Sequence, residues 1–314
     1  MKELKTAKTF DEQLAILESR DMVIDDADAA LRALKSMNYY RLTGYAYQFK
    51  HGKNERYKAG TSFETVLALY RFDKELRRVL QTYLEDIEIF ARTQIAYYFG
   101  HVYGSGGHYD PQFFENKEYH STFLLSLKTQ IEKNKDAAFV SHHVNNYGGK
   151  MPIWSAVEIL SFSALSKFYG NLQQNGRAYI AAQMGYEEEF VANWLHCFSV
   201  LRNTCAHYGR IYDNDMKPSI KLGGKTYRAY PEIKSDTIFA YIICMERFIP
   251  HDKMELIHHV SDVIHRWIGA IDLGLLGFPD NWEKLFTDEK LLNPISKLPA
   301  VKRPSVPPSP SPLN

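Results

Sequence analysis

Cysteine is scarce: the 314 residues hold three, Cys197, Cys205 and Cys244. An odd number without paired spacing excludes a disulfide framework and suits reduced thiols in the cytosol. Net charge of one sign is missing as well, because 38 lysines and arginines meet 37 aspartates and glutamates for a formal +1. That balance excludes a global attraction to nucleic acid and confines any RNA contact to a local basic patch. No uninterrupted apolar run has the length needed to span a bilayer, and Met1-Lys2-Glu3-Leu4-Lys5 leads into mixed polar sequence, unlike a secretory leader. These absences predict a soluble cytoplasmic protein with no membrane contact. Metal-binding patterns are absent too. No helix carries His-Glu-x-x-His, and the adjacent pairs His142-His143 and His258-His259 point about 100° apart on a helix, so neither they nor His265 form a metal site. No cofactor is expected.

Strand-period alternation is rare, and helical periodicity dominates. The fold class expected is all-α, a helical bundle with one small β-hairpin. Phe10 to Ser19 and Asp25 to Met37 read as short helices, the second with Asp25 as N-cap. Tyr39 to Phe49 reads as an aromatic connector. Thr61 and Glu64 have capping-box spacing and start a long helix toward Gly100, broken or kinked along its length. Gly104-Ser105-Gly106-Gly107 lacks the lysine and flanking strand of a phosphate loop and reads as an interhelical turn. Helices follow at Glu118 to Lys135, Trp154 to Gln173 and Glu187 to Ala206, the last two packed together, and then at Thr237 to Phe248 and Glu255 to Leu273. Between them, Lys217 to Arg228 alternates around Gly223-Gly224 and reads as the hairpin. The domains expected are an N-terminal helical segment over 1–60, a helical core over 61–290 and a disordered Pro/Ser-rich tail over 291–314.

The most informative segment is Arg202-Asn203-Thr204-Cys205-Ala206-His207, at the end of a helix seated by Trp194, Leu195, Phe198 and Leu201. A permanent guanidinium beside an imidazole that titrates near neutrality suits phosphodiester chemistry on RNA without a metal. Gly209 reads as the helix stop, which puts His207 in the last turn, where the dipole favours its proton. Five residues rotate a helix by about 140° and four by about 40°. Arg202 and His207 therefore do not share a face, whereas Asn203 and His207 do, so the Asn203 amide is expected to orient the imidazole. Either the helix loosens before His207, or two copies meet across a subunit interface; the second is favoured. Cys205 beside His207, like His196 beside Cys197, reads as packing and not as a thiol nucleophile.

These residues, with other blocks in order, resemble a family. Arg202 to His207 resembles the arginine-polar-x-x-x-histidine signature of the HEPN superfamily, and more closely that of abortive-infection proteins of the AbiD and AbiF type. Asn38-Tyr39-Tyr40-Arg41-Leu42-Thr43-Gly44-Tyr45, Gly60-Thr61-Ser62-Phe63, Leu69 to Arg77, Ile87-Glu88 with Arg92, Pro152 to Ser155, Glu158 to Ser166 and Gly277 to Trp282 match in turn. The likeness spans roughly residues 10 to 285, and its specificity lies in the combination. A second histidine usually follows the motif histidine in the family, where this chain has Tyr208.

What the resemblance implies is a HEPN-like bundle and an endoribonuclease acting in bacteriophage defence, to which the helix geometry adds a homodimer with a composite site. In that reading His207 is general base or acid, Arg202 stabilises the developing charge and Asn203 positions the imidazole. Glu88 and Arg92, at i and i+4, support the site from behind. Arg210, Lys221, Lys225 and Arg228 are candidate RNA contacts, though a solvated loop explains the last three equally well. RNA is the expected partner, with a regulatory RNA or protein as a further one. The rival from another class is a noncatalytic module that binds RNA or a partner protein, including an antitoxin-like partner of a nucleotidyltransferase.

Overall fold

A computed structural model describes residues 4, 6–52, 55–249, 255–292 and 302–304. Apart from Lys302 to Pro304, the expected tail beyond residue 292 lies outside them. Among the described residues there are fifteen α-helices and no strand, only isolated bridges such as Val23 with Ser62. They are α1 Phe10–Glu18, α2 Ala27–Ser36, α3 Tyr39–Ala46, α4 Phe63–Tyr103, α5 Lys117–Lys133, α6 Ala138–Tyr147, α7 Ile153–Ala156, α8 Phe162–Gly170, α9 Gln174–Gln183, α10 Glu188–Ala206, α11 Gly224–Ala229, α12 Ile238–Phe248, α13 Glu255–Trp267, α14 Trp282–Leu285 and α15 Glu289–Leu292. No described helix is long and apolar enough to cross a membrane.

The organising element is α4, a 41-residue helix about 60 Å long at 1.5 Å per residue. It runs unbroken, against the expected break. It packs on α3, α7, α8, α9, α10, α12 and α13, and a buried apolar stripe recurs along it at helical spacing, from Phe63 and Val66 through Leu80 and Ile87 to Ile95 and Phe99. Beside it, α12 is apolar on every side, with Ile238 to Met245 all buried, as a central helix must be.

Several local expectations need correction. The cap of α4 is Ser62, whose hydroxyl accepts from the Thr65 N–H at 3.1 Å, while Thr61 turns back to the Lys58 carbonyl. Likewise Asp26, not Asp25, caps α2. The aromatic connector is helical: Asn38 caps the Tyr40 N–H and starts α3. The expected helix from Trp154 to Gln173 is two helices, α7 and α8, because Ser161 caps the Ala164 N–H and restarts the chain. That break strands carbonyls, and the Arg92 guanidinium takes three of them, Val157 at 2.9 Å, Glu158 at 2.8 Å and Leu160 at 2.8 Å.

The expected hairpin is absent. Residues 217–222 bend at Lys217-Pro218 and then run without regular secondary structure, and 224–229 form α11. Side chains of α10 take the place of a partner strand: Asn193 donates to the Ser219 carbonyl at 3.1 Å and accepts from the Lys221 N–H at 2.7 Å, and the Trp194 indole donates to the Lys221 carbonyl at 2.7 Å. Ile220 and Leu222 are buried. The alternation is real, but it reflects a chain laid on a helix. Satisfied backbone polar groups need no second strand.

At the start of α13 the Glu246 carboxylate accepts the Ile257 N–H at 3.3 Å. Burial pushes this carboxyl up to about 7, with Glu255 adding repulsion and the Ile257 N–H opposing it. A folded-state value above the unfolded one means that the native state holds the extra proton. Its stabilising contribution is therefore complete below the ordinary carboxylate range and lost as pH rises through about 7. Glu246→Gln should raise the melting temperature at about pH 8, by the equivalent of roughly 1–2 kcal/mol after allowing for solvent screening, with little gain at about pH 5. Thermal denaturation of both proteins at the two pH values checks this.

Candidate functional site

The motif closes α10. Trp194, Leu195, Phe198, Leu201 and Cys205 face the core, which leaves Arg202 and Asn203 half-buried and His207 exposed. Arg202 is held from behind: its Nε lies 3.4 Å from Glu88 Oε2 on α4, and its side chain keeps 35% exposure. Glu88 is buried, and its other oxygen accepts from Arg92 at 2.5 Å. One carboxylate thus sits between two guanidiniums. Arg92 is in turn fixed by the three carbonyls of the α7–α8 break, so an irregularity in one helix pair sets the motif arginine. Arg202 Nη1 also approaches Asn203 Oδ1 at 3.4 Å.

Asn203 does not orient the imidazole as expected. Its amide oxygen faces Arg202, and only its main-chain carbonyl reaches His207, accepting the backbone N–H at 2.9 Å. The reason is positional. His207 is the C-cap at φ −94° and ψ 14°, already leaving the helix, so same-face spacing no longer applies to its ring. The helix stays regular through Ala206, and no hydrogen bond or ion pair joins Arg202 to His207.

The stop itself is not Gly209. Tyr208 takes the left-handed conformation at φ 60°, with its N–H to the Cys205 carbonyl at 3.1 Å and the Gly209 N–H to the Thr204 carbonyl at 2.7 Å. This is a Schellman ending with tyrosine where glycine is usual. Gly209 instead permits a close approach, since a Cβ there would lie 2.8 Å from Thr204 Cγ2 and 3.2 Å from the Thr204 carbonyl oxygen.

Four residues outside the motif hold this turn. Asp73 of α4 is fully buried and accepts from the Tyr45 hydroxyl at 2.6 Å, the Ile211 N–H at 3.1 Å, the Tyr212 N–H at 2.9 Å and the Arg77 guanidinium. Arg77 also donates to the Gly209 carbonyl at 3.2 Å. Burial pushes the Asp73 carboxyl upward; Arg77, Tyr45 and the two backbone N–H groups oppose that shift. Arg41 of α3 donates to the Tyr208 carbonyl at 2.7 Å, and Arg210 reciprocates to the Gly44 carbonyl at 2.7 Å. The one sequence signal is their spacing: Asp73 follows the core residue Phe72 and Arg77 follows the core residue Leu76, four apart on one helix face.

The remaining candidates fall elsewhere. Lys221 pairs with Glu189 at 2.5 Å, Arg228 bonds within α11, and Lys225 is exposed. Their segment is bound to α10 at Asn193 and Trp194, roughly 20 Å along the helix from His207. Arg210 alone lies at the motif turn. Burial pushes the Cys205 thiol up to about 12 and the Cys197 thiol to about 11, so neither is a nucleophile near neutrality.

The profile of the Abi-like protein family matches residues 32–213, more than half of the chain. The chain belongs to the Abi-like family. Membership points it to abortive-infection defence against bacteriophage. Glu88, Arg202, His207 and the network around Asp73 all lie inside the matched span, which ends one residue after Tyr212. No curated protein and no solved structure matches the chain.

Asp73→Ala should destabilise the protein by about 3–5 kcal/mol, because it leaves the Arg77 charge buried without its partner. Urea denaturation, comparing midpoints at equal m, measures the loss.

Proposed function

We propose that this Abi-like protein is a HEPN-type endoribonuclease that cleaves RNA without a metal during abortive infection. The observation that carries the reading is the contrast at the end of α10: Arg202 is pinned by a buried carboxylate yet 35% exposed, and His207 is exposed one turn later with no side-chain partner among the described residues. A fixed cation and an exposed imidazole at the same helix end are groups that transesterification of RNA can use.

The RNA 2′-hydroxyl supplies the nucleophile. His207 removes its proton or delivers one to the departing 5′-oxygen, and Arg202 stabilises charge on the pentavalent phosphorus. Within one chain the two side chains do not meet, which supports a homodimer in which two copies of the motif face each other and a second histidine takes the opposite role. Glu88 and Arg92 act through Arg202 as positioning residues. DNA, lacking the nucleophile, should resist cleavage.

The rival is a noncatalytic module that binds RNA or a partner protein. It draws support from the Glu88 ion pair, which partly neutralises Arg202. The test is cleavage of a defined single-stranded RNA in chelator by wild type, Arg202→Ala and His207→Ala. The nuclease reading expects fragments with 2′,3′-cyclic phosphate ends and losses of about 10²–10⁴-fold for His207→Ala and about 10²–10³-fold for Arg202→Ala. Equal cleavage by all three, or ends bearing 5′-phosphate, rejects the assignment.

A further inference from the structure

A groove of about 1470 Å³ opens between the N-terminal segment and α3, and one end of it is the turn that follows His207. Its lining holds five cations, Lys8, Arg20, Arg41, Lys50 and Arg210, against one carboxylate, Glu55. In a chain with a formal charge of +1, that is a strong local concentration. Arg20 is neutralised by Glu55, and Lys8 shares its charge with Glu12. The other three are occupied differently. Arg41 and Arg210 donate to main-chain carbonyls, Arg210 having only a distant carboxylate in Asp213 at 4.0 Å, and Lys50 lies over the Tyr47 and Tyr57 rings at 5.9 and 5.8 Å. Neutral carbonyls and rings leave the charge of Arg41 and Lys50 uncompensated, and Asp213 offsets that of Arg210 only at a distance. Between these cations stand Tyr40, Tyr47 and Tyr208, with 73%, 63% and 68% exposure.

We infer that this groove binds an unpaired RNA strand and leads it to the Arg202–His207 end of α10, an inference that rests on the ribonuclease reading. Exposed aromatic faces among uncompensated cations match a polyanion that carries flat bases. An A-form duplex keeps its bases stacked and hidden, and its minor groove offers hydroxyls and phosphates, so tyrosine rings gain nothing from it. An apolar partner helix fits poorly, because it would bury the Arg41 guanidinium without a counter-charge and Arg210 with only the distant Asp213. Tyr208 is both groove wall and chain neighbour of His207, with their Cα atoms about 3.8 Å apart. A base stacked there brings its phosphate to the imidazole. This explains what Arg210 does among the basic candidates: it lies at the mouth of the strand path, away from Lys221, Lys225 and Arg228.

The test uses the full chain bearing His207→Ala, so that RNA stays intact, and fluorescence anisotropy of a labelled, unstructured RNA of about 12 nucleotides, within the site sizes common for such grooves. Tyr40→Ala and Tyr208→Ala, both on exposed side chains, should each weaken binding by about 5- to 150-fold. Lys50→Gln should reduce the slope of log affinity against log salt by about 0.7. A DNA strand of the same sequence should compete, since stacking and phosphate pairing do not read the 2′-hydroxyl, and a duplex should compete poorly. Equal binding by the tyrosine variants, or duplex binding as tight as the single strand, overturns the inference. If those variants instead lose self-association and keep RNA binding, the groove is a protein interface and the inference is again overturned. Cleavage separates the two readings: groove-dependent binding by a protein that never cuts rejects the nuclease and upholds the strand site, whereas cutting that ignores groove variants does the reverse.

Discussion

A carboxylate with no solvent contact must be surrounded by donors, and Asp73 is surrounded by donors from three separate parts of the chain. Tyr45 comes from α3, Arg77 from α4 itself, and the N–H groups of Ile211 and Tyr212 from the segment after α10. Each donor is worth far more here than on a surface, because losing it would leave charge unsatisfied in a low-dielectric interior. The motif turn is therefore not a free loop end. It is fastened to α4 by the Asp73 carboxylate and the Arg77 guanidinium, and the Arg41 and Arg210 bonds add an attachment to α3.

The same long helix carries the second buried carboxylate, Glu88, fifteen residues on and roughly 22 Å along the axis. Asp73 governs the backbone after His207, and Glu88 governs the side chain of Arg202. One rigid element thus sets both halves of the motif. Its continuity from Phe63 to Tyr103 is what gives the two halves a common frame. Arg92 extends that frame to the α7–α8 break, where an interrupted helix supplies the carbonyls that hold the guanidinium.

Periodicity made much of this visible in advance. The apolar spacing from Phe63 to Ile95 announced α4, the Trp194 to Leu201 stripe announced the seat of the motif, and Glu88 with Arg92 stood out at i and i+4. What stayed hidden depended on partners distant in the chain. Alternation from Lys217 to Leu222 looks the same whether the neighbour is a strand or the Asn193 and Trp194 side chains of α10. Trp154 to Gln173 reads as one helix until Ser161 is seen capping Ala164 and Arg92 collecting the exposed carbonyls. Asn203 and His207 share a face only while the helix lasts, and it ends between them. For Asp73 the spacing to Arg77 was legible but its task was not: nothing local tells that the N–H groups of Ile211 and Tyr212 fold against it.

Tyr208 takes a backbone conformation that costs a non-glycine residue about 1–2 kcal/mol, while its ring faces solvent at the groove. Terminator and contact surface are therefore one residue, and they cannot respond independently. Under the proposed strand site, a ligand that grips the ring only in this backbone state would favour the state that sets His207 at the end of α10, and by thermodynamic linkage whatever secures that state would strengthen the grip by the same factor. In that proposal, occupancy of the groove and placement of the imidazole become one coupled equilibrium, with the strained tyrosine as the joint.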